Sequence, residues 1–466
     1  MKKLLPDGIS DFKTLIENNY YYVDKTPFIS EVGKNVGKTL LFTRPRRFGK
    51  TLNMSMLKYF FDVREAEENR KLFKGLEIQK SSYFKEQGKY PVIFISMKDI
   101  KEMSFDRAIT EVKNLLSSLY NQFEFIREKL NENELIEFNN IWLEKNDNNL
   151  RKALLNLAIF LQKYYQKKVI VLIDEYDTPL VSAYRYGYYR EAKNFFSGLY
   201  GSVLKDNTVL QMGVITGIIR VIRAGIFSDL NNFISYTTLN NDYSQSFGLT
   251  EKEVENMLKY YQIEYEMSDV KKWYDGYSFG KDEIYNPWSI LNFVKNRELK
   301  AYWINTSSNF MIRELLQKSG EEGLSTLEKI FNQEEVAVRI TDNVRLGNNL
   351  SVSEVWELML YSGYLTVKER LDDGRYSVRI PNMEIMRFFK DEFLTIVFGE
   401  YRVVDELRDA LYDKNLRQLD RSIERLILSV MSFHDINKKY ENSYHMLLAG
   451  FFYALDGYYI TKSNVE

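Results

Sequence analysis

Residues 40–61 read LLFTRPRRFGKTLNMSMLKYFF, and they leave few folds open. Leu40, Leu41 and Phe42 are the short apolar run of a strand buried in a parallel sheet. RPRRFGKT (44–51) follows, and Leu52, Met56, Leu57 and Phe60 then fall on one face of a helix. Strand, loop and helix with Gly49-Lys50-Thr51 at the helix start is the architecture of a phosphate-binding P-loop. Its backbone N–H groups and helix N-terminus attract phosphate oxygens, its lysine reaches the β- and γ-phosphates, and its threonine hydroxyl ligates Mg²⁺. A bare GKT would suit any helix start; the flanking elements and a second motif downstream select nucleotide binding. The full pattern is G-x-x-x-x-G-K-[ST], and its first glycine falls on Arg44, which brings a long side chain to the cradle, while Pro45 stiffens the loop. The expected cradle for ATP is Arg44, Pro45, Arg46, Arg47, Phe48, Gly49, Lys50, Thr51 and Leu52.

The second motif is KKVIVLIDEYDTP (167–179). Val169 to Ile173 is the continuous apolar run of a strand buried on both faces, and it ends in Asp174-Glu175. Open α/β sheets place ligand chemistry at the C-terminal ends of such strands. Asp174 is positioned to hold Mg²⁺, and Glu175 to orient and activate the attacking water. Taken alone, Asp174 would read as a cap on a strand-to-helix turn; GKT upstream reverses that preference. A third strand, NTVLQMGVITG (207–217), ends in Thr216-Gly217 with Arg220 and Arg223 close behind. Thr216 is placed to sense the γ-phosphate and Arg220 to neutralise transition-state charge; the competing reading is a strand-end turn with solvated arginines. These runs predict an α/β fold with a doubly wound P-loop NTPase core.

A chain of 466 residues predicts two or three domains. At 45% hydrophobic and 28% charged residues, it has ample material for globular cores. Its formal net charge of −1 offers no global basic field for nucleic acid. The absence of cysteine excludes disulfides, thiol catalysis and Cys-ligated zinc. MKKLLPDGISDF has no apolar h-region, and no apolar run is long enough to span a membrane, so a cytoplasmic protein is expected.

Along the chain, 9–19 reads as a helix capped by Ser10, and 20–32 as an extended segment leading into a helix near Pro27. Tyr22, Val23, Asp24 and Lys25 either line a nucleotide base or simply pack. Val92 to Ser96 reads as a strand, and 104–130, 150–166 and 188–205 as helices; NENELIEFNNIWLEKNDNN between the first two reads as a polar surface insertion. Helices dominate from 247 onward, one with Pro287 in its first turn. Residues 354–393 read as helix, strand, DDG turn, strand, helix, the order of a winged-helix unit. Residues 402–413, 416–432 and 441–455 read as helical, and YYITKS as a last strand.

GISDFKTLIENNYYYVDKT, LFTRPRRFGKTLNMSMLKYFF, VLIDEYD, VITGIIRV, FSDLNNF, WYDGYSFG, IYNPWSI and YWINTS, in this order, resemble the bacterial AAA-ATPase-like family. The loop also resembles that of archaeal-type STAND ATPases, which read GPRRxGKT. The resemblance implies roles for Lys50 and Thr51 on phosphate and Mg²⁺, for Asp174 and Glu175 on Mg²⁺ and water, and for Thr216. It further implies a C-terminal PD-(D/E)XK nuclease domain, begun at YENSYHMLLAGFFYALDGYYITKSNVE with Glu441 as its first-helix glutamate. The remaining nuclease carboxylates would follow beyond Glu466, so no nuclease activity is expected of this chain. The expected domains are a P-loop domain (1–245), a helical and winged-helix lid (246–400), and a linker with the incomplete nuclease start (401–466). Together these imply a slow Mg-ATP switch gating a nuclease module, with DNA or RNA as partner and defence against mobile DNA as setting. The competing reading is a nucleotide-dependent scaffold for nucleic acid or protein, without useful turnover.

Overall fold

The computed structural model of the protein describes residues 2–144, 149–221, 232–303, 329–330, 334–341, 352–389, 406, 409–410 and 413–423. Five strands form one parallel sheet: β1 (Thr39–Thr43), β2 (Val92–Ser96), β3 (Val169–Asp174), β4 (Leu210–Gly217) and β5 (Phe233–Tyr236). Their order is β2-β3-β4-β1-β5. Every residue of β1 and β3 is buried, as the apolar runs predict for strands covered on both faces. Each of Val169 to Ile173 contributes roughly 2 kcal/mol by leaving water.

The helices are α1 (Phe12–Glu17), α2 (Pro27–Gly33), α3 (Lys50–Phe61), α4 (Ala66–Lys71), α5 (Phe105–Asn121), α6 (Glu132–Trp142), α7 (Ala153–Tyr165), α8 (Thr178–Tyr186), α9 (Tyr189–Leu204), α10 (Glu251–Tyr261), α11 (Met267–Tyr274) and α12 (Pro287–Asn296). The connection from β1 to β2 passes beyond β4 and β3, and the chain then steps back through β3 to β4. Connections that run in opposite senses along the sheet, taken right-handed as such crossovers are, place α3 on one face and α7 and α9 on the other, as a doubly wound arrangement requires. In register, Ser96 pairs with Asp174, Ile173 with Ile215, and Thr43 with Gly217. The C-terminal ends of four strands therefore open at one level, where the two motifs meet.

Several local readings change. Asp11 rather than Ser10 caps α1, accepting from the Thr14 N–H at 2.8 Å. The helix expected over 104–130 ends at Asn121 and gives way to a 3₁₀ segment, Glu124–Lys129. The asparagine-rich stretch is no mere insertion, because α6 opens on an Asn131–Glu134 capping box and buries Phe138 and Ile141. Beyond β5 the chain is less purely helical than its composition suggests. It adds the hairpin β6 (Tyr277–Phe279) and β7 (Asp282–Ile284), and the sheet β8 (Val336–Val338), β10 (Tyr376–Arg379), β9 (Thr366–Arg370) in that order. A helix, Val352–Ser362, precedes β9, and residues 383–389 are helical after β10, the order read from the sequence.

The chain divides into two compact units. One comprises Met1–Leu299 and Ala337–Val378, and contains the parallel sheet. The other comprises Lys300–Val336 and Arg379–Glu466. Within the second, the buried Glu384 carboxylate accepts from the N–H groups of Tyr302 and Trp303, which anchors the buried Trp303. Arg223, Glu441, the expected nuclease start and the last strand lie outside the described residues.

Candidate nucleotide site

The loop between β1 and α3 is shaped from both ends. The Arg44 N–H donates to the carbonyl of Gly217 at 3.1 Å, tying the loop's start to the end of β4. Gly49 enters α3 with φ +82, a left-handed conformation that glycine adopts without a Cβ penalty. The Lys50 side chain then folds back into the loop, donating from Nζ to the carbonyls of Arg44 at 2.9 Å and Pro45 at 2.8 Å. An ammonium has three donors, so one remains for a phosphate oxygen. Burial pulls Lys50 down to about 8; Glu175, Asp174 and Asp177 offset part of that, and Arg46 adds to it.

Across the cradle, Asp174 joins three elements. Its Oδ2 accepts from Thr51 Oγ1 at 2.8 Å, at the start of α3. Its Oδ1 accepts from Thr216 Oγ1, at the end of β4. Its backbone carbonyl accepts from the Met97 N–H at 2.9 Å, just past β2. Burial raises the Asp174 carboxyl, and the two threonine hydroxyls oppose that rise. The neighbouring Glu175 is half-buried and has φ +53, an uncommon conformation for a residue with a side chain. Thr178 Oγ1 donates to its carboxylate at 3.2 Å. The same turn thus carries one carboxylate sealed behind two hydroxyls and another only half-buried.

Sequence reasoning missed the end of this turn. Asp177 is buried, and its Oδ2 accepts from the N–H groups of Ile218 at 2.8 Å and Ile219 at 2.9 Å. Burial lifts its carboxyl to about 6. Tyr176, also buried, donates its hydroxyl to the carbonyl of Ile219 at 2.8 Å and accepts from the Val221 N–H at 2.9 Å. Both residues stand in the DEYD motif; the available signal was a second aspartate directly after an aromatic, where a solvated turn needs neither.

Arg44 departs from the expectation that its side chain enters the cradle. The side chain turns inward and is fully buried, with Nη1 donating to the carbonyls of Thr43 at 2.8 Å and Tyr236 at 3.0 Å, and Nη2 to that of Tyr243 at 3.4 Å. The rings of Phe247 and Phe279 flank the guanidinium at 5.2 and 5.0 Å. Burial brings Arg44 down to about 9. The residues that receive it belong to a segment that also fastens the rest of the loop: Asn53 Nδ2 donates to Ser246 O at 2.8 Å, and the Gly248 N–H to Phe48 O at 3.1 Å. Backbone acceptors carry no sequence signature, which hid this segment from sequence reasoning.

The other expected residues fall as follows. Pro45 is buried beside Gly363, where an added Cβ would come within 2.8 Å of the proline ring. Arg46 is half-buried; Arg47 is exposed and lies over the Trp288 ring at 4.3 Å. Phe48 is buried against Tyr277 and Phe279, and Leu52 is half-buried in the first turn of α3. Arg220 is half-buried, one residue past the stretch held by Asp177. Asp24 accepts from Thr26 and from the Glu77 N–H, while Lys25 pairs with Glu253 at 2.7 Å. Tyr22 donates to Met56 Sδ at 3.3 Å. These contacts are those the packing reading expects of Tyr22, Asp24 and Lys25.

Thr51 and Asp174 supply hard oxygen donors of the kind Mg²⁺ takes beside phosphate oxygens and water. Among the described residues no group of three or more His, Cys, Asp or Glu could hold a metal by itself. No described helix is long and apolar enough to cross a membrane. Over its length the chain is similar to the uncharacterized protein in the vnfD 5′ region of Azotobacter chroococcum mcd 1. The two are 27% identical over 423 residues, which is 88% of this chain and 74% of that protein. Residues 6–227, which carry β1 to β4 and both motifs, match the model of the AAA-ATPase-like family, described as predicted AAA-ATPase.

Proposed function

We propose that the protein binds Mg-ATP in the loop 44–51 and hydrolyses it slowly, as a conformational switch. The observation that carries this reading is the Asp174 carboxylate, which accepts at once from Thr51 at the phosphate loop and Thr216 at the neighbouring strand end. Lys50, with one donor to spare, and the N-terminus of α3 would hold the phosphates. Thr51 and Asp174 fit Mg²⁺, which when bound neutralises charge on the β- and γ-phosphates. Glu175, the half-buried carboxylate, orients a water and takes its proton as the water oxygen attacks the γ-phosphorus. The bond from that phosphorus to the β–γ bridging oxygen breaks, leaving ADP and phosphate. Thr216, bonded to Asp174 at the end of β4, and Arg220, three residues beyond β4, are the groups we assign to γ-phosphate charge.

For a lid in the segment after the P-loop domain, the support is the contact of Pro45 with Gly363, through which a shift of the loop on phosphate binding would be felt. Gating of a C-terminal nuclease module, with nucleic acid as partner and defence as setting, is the extension that the family resemblance supplies.

The test is Mg-ATP binding and turnover by the parent, Lys50→Ala and Glu175→Gln. Binding should fall at least about 100-fold in Lys50→Ala, which loses a charge-assisted contact. Glu175→Gln should bind as the parent does and turn over about 100-fold more slowly. A parent that binds without turnover would instead be a nucleotide-dependent scaffold. One that binds no ATP would refute both readings.

A further inference from the structure

The turn that carries Asp174 and Glu175 does more than present them. Its next two residues reach across to β4 and hold the backbone beyond Thr216 at four points. Tyr176 hydroxyl meets Ile219 O and Val221 N; Asp177 Oδ2 meets Ile218 N and Ile219 N. A fifth bond, from the Tyr176 N–H to Thr216 O at 3.1 Å, joins the turn to the threonine itself. Tyr200 closes the rear, its hydroxyl donating to Tyr176 O at 3.1 Å. The two segments approach so closely that only glycine fits at 217. An added Cβ would lie 2.7 Å from the Tyr176 ring and 2.8 Å from Asp177 Oδ1.

We infer that Tyr176 and Asp177 are positioning residues for hydrolysis, fixing Thr216 and Arg220 relative to Asp174 and Glu175. The inference rests on the ATPase reading above and adds what makes its two halves one site. Glu175 has the water, and Thr216 and Arg220 have the γ-phosphate; neither pair works unless their separation is fixed in advance. Proximity of this kind is sensitive to displacements of an ångström. A turn stapled at five backbone groups of the facing strand end supplies that constraint, whereas a cap on α8 alone would need none of them.

The experiment compares Tyr176→Phe, Asp177→Ala and Asp177→Asn with the parent in ATP binding, kcat and thermal unfolding. Tyr176→Phe keeps the ring under Gly217 and removes only the hydroxyl. Its ATP Kd should stay within about threefold of the parent, since Lys50 and Thr51 are untouched, while kcat falls about 10- to 100-fold. Asp177→Ala should do the same. Asp177→Asn retains one oxygen for both N–H groups, so its kcat should return to within about threefold of the parent. If Tyr176→Phe is folded and its kcat matches the parent, the inference is wrong and the ATPase reading survives. If kcat and ATP affinity fall together in Tyr176→Phe, the staple serves the binding site generally and the inference is again wrong. A parent without turnover sinks the ATPase reading and takes this inference with it.

Discussion

The two sides of the cradle solve the same problem with opposite materials. On the loop side the buried groups are cations, Arg44 and Lys50, and backbone carbonyls answer them. On the β3 side they are carboxylates, Asp174 and Asp177, answered by hydroxyls and backbone N–H groups. No ion pair joins the two sets, although opposite charges stand close enough to influence one another. Direct pairing would neutralise both and leave a polyphosphate with its metal little to bind. Dipoles of the backbone hold each charge in place without cancelling it. Each charge is held by backbone dipoles or hydroxyls, and burial works against all four.

The comparison breaks most sharply at Arg44. Arg44→Met keeps the bulk but strands the carbonyls of Tyr236 and Tyr243, so denaturant unfolding should show a loss of about 3 kcal/mol. A loss under about 1 kcal/mol would mean that the carbonyls find other donors and that the loop side is not built around this cation.

On the carboxylate side the sign reverses for the isostere. Asp177 is raised to about 6 in the folded protein against 3.8 in the open chain. The folded state then holds the proton longer, so the stability this group contributes at low pH is lost as pH rises from about 4 to about 6. Asp177→Asn should therefore gain on the parent across that window, by on the order of 2 kcal/mol above it, in chemical unfolding at several pH values. A constant offset at all pH values would show that the parent's charge is not what burial opposes. Gly217→Ala, which forces the turn away from β4, should cost about 2 kcal/mol and lower kcat with it.

The smallest effect is a titration. Lys50 stands near 8, so ATP affinity should be level below that pH and weaken above it, toward tenfold per unit. Isothermal titration between pH 7 and pH 9.5 reads this directly; a flat profile would mean the ammonium is not the phosphate ligand.

What the sequence made legible is what rests on side-chain pattern. β1, β3 and β4 announce themselves as apolar runs, and α12 as a proline in a first turn behind Asn286, which accepts from Trp288. GKT at the start of α3 and DE at the end of β3 meet through the bond from Thr51 to Asp174, residues 123 apart in the chain. α6 was legible too, through Asn131-x-x-Glu134 followed by Leu135, Phe138 and Ile141, but its asparagines masked the spacing. Where Arg44 points could not be read, because its partners are carbonyls of Tyr236 and Tyr243 and any residue supplies a carbonyl. The staple of Tyr176 and Asp177 was hidden for the same reason.

Arg44 also says something about borrowing such a loop. An octapeptide such as RPRRFGKT looks portable, a cassette to be cut out and set between any strand and helix. Here half of its specification is written elsewhere, in the acceptors at Tyr236 and Tyr243, the rings of Phe247 and Phe279, and the glycines at 248 and 363 that leave Phe48 and Pro45 their room. Transplanted without them, the loop would carry a homeless cation into its new host. Glycine at position 44 in place would leave an arginine-shaped hole beneath the loop. The unit of exchange is the loop together with its receptor, and engineering either one alone changes both.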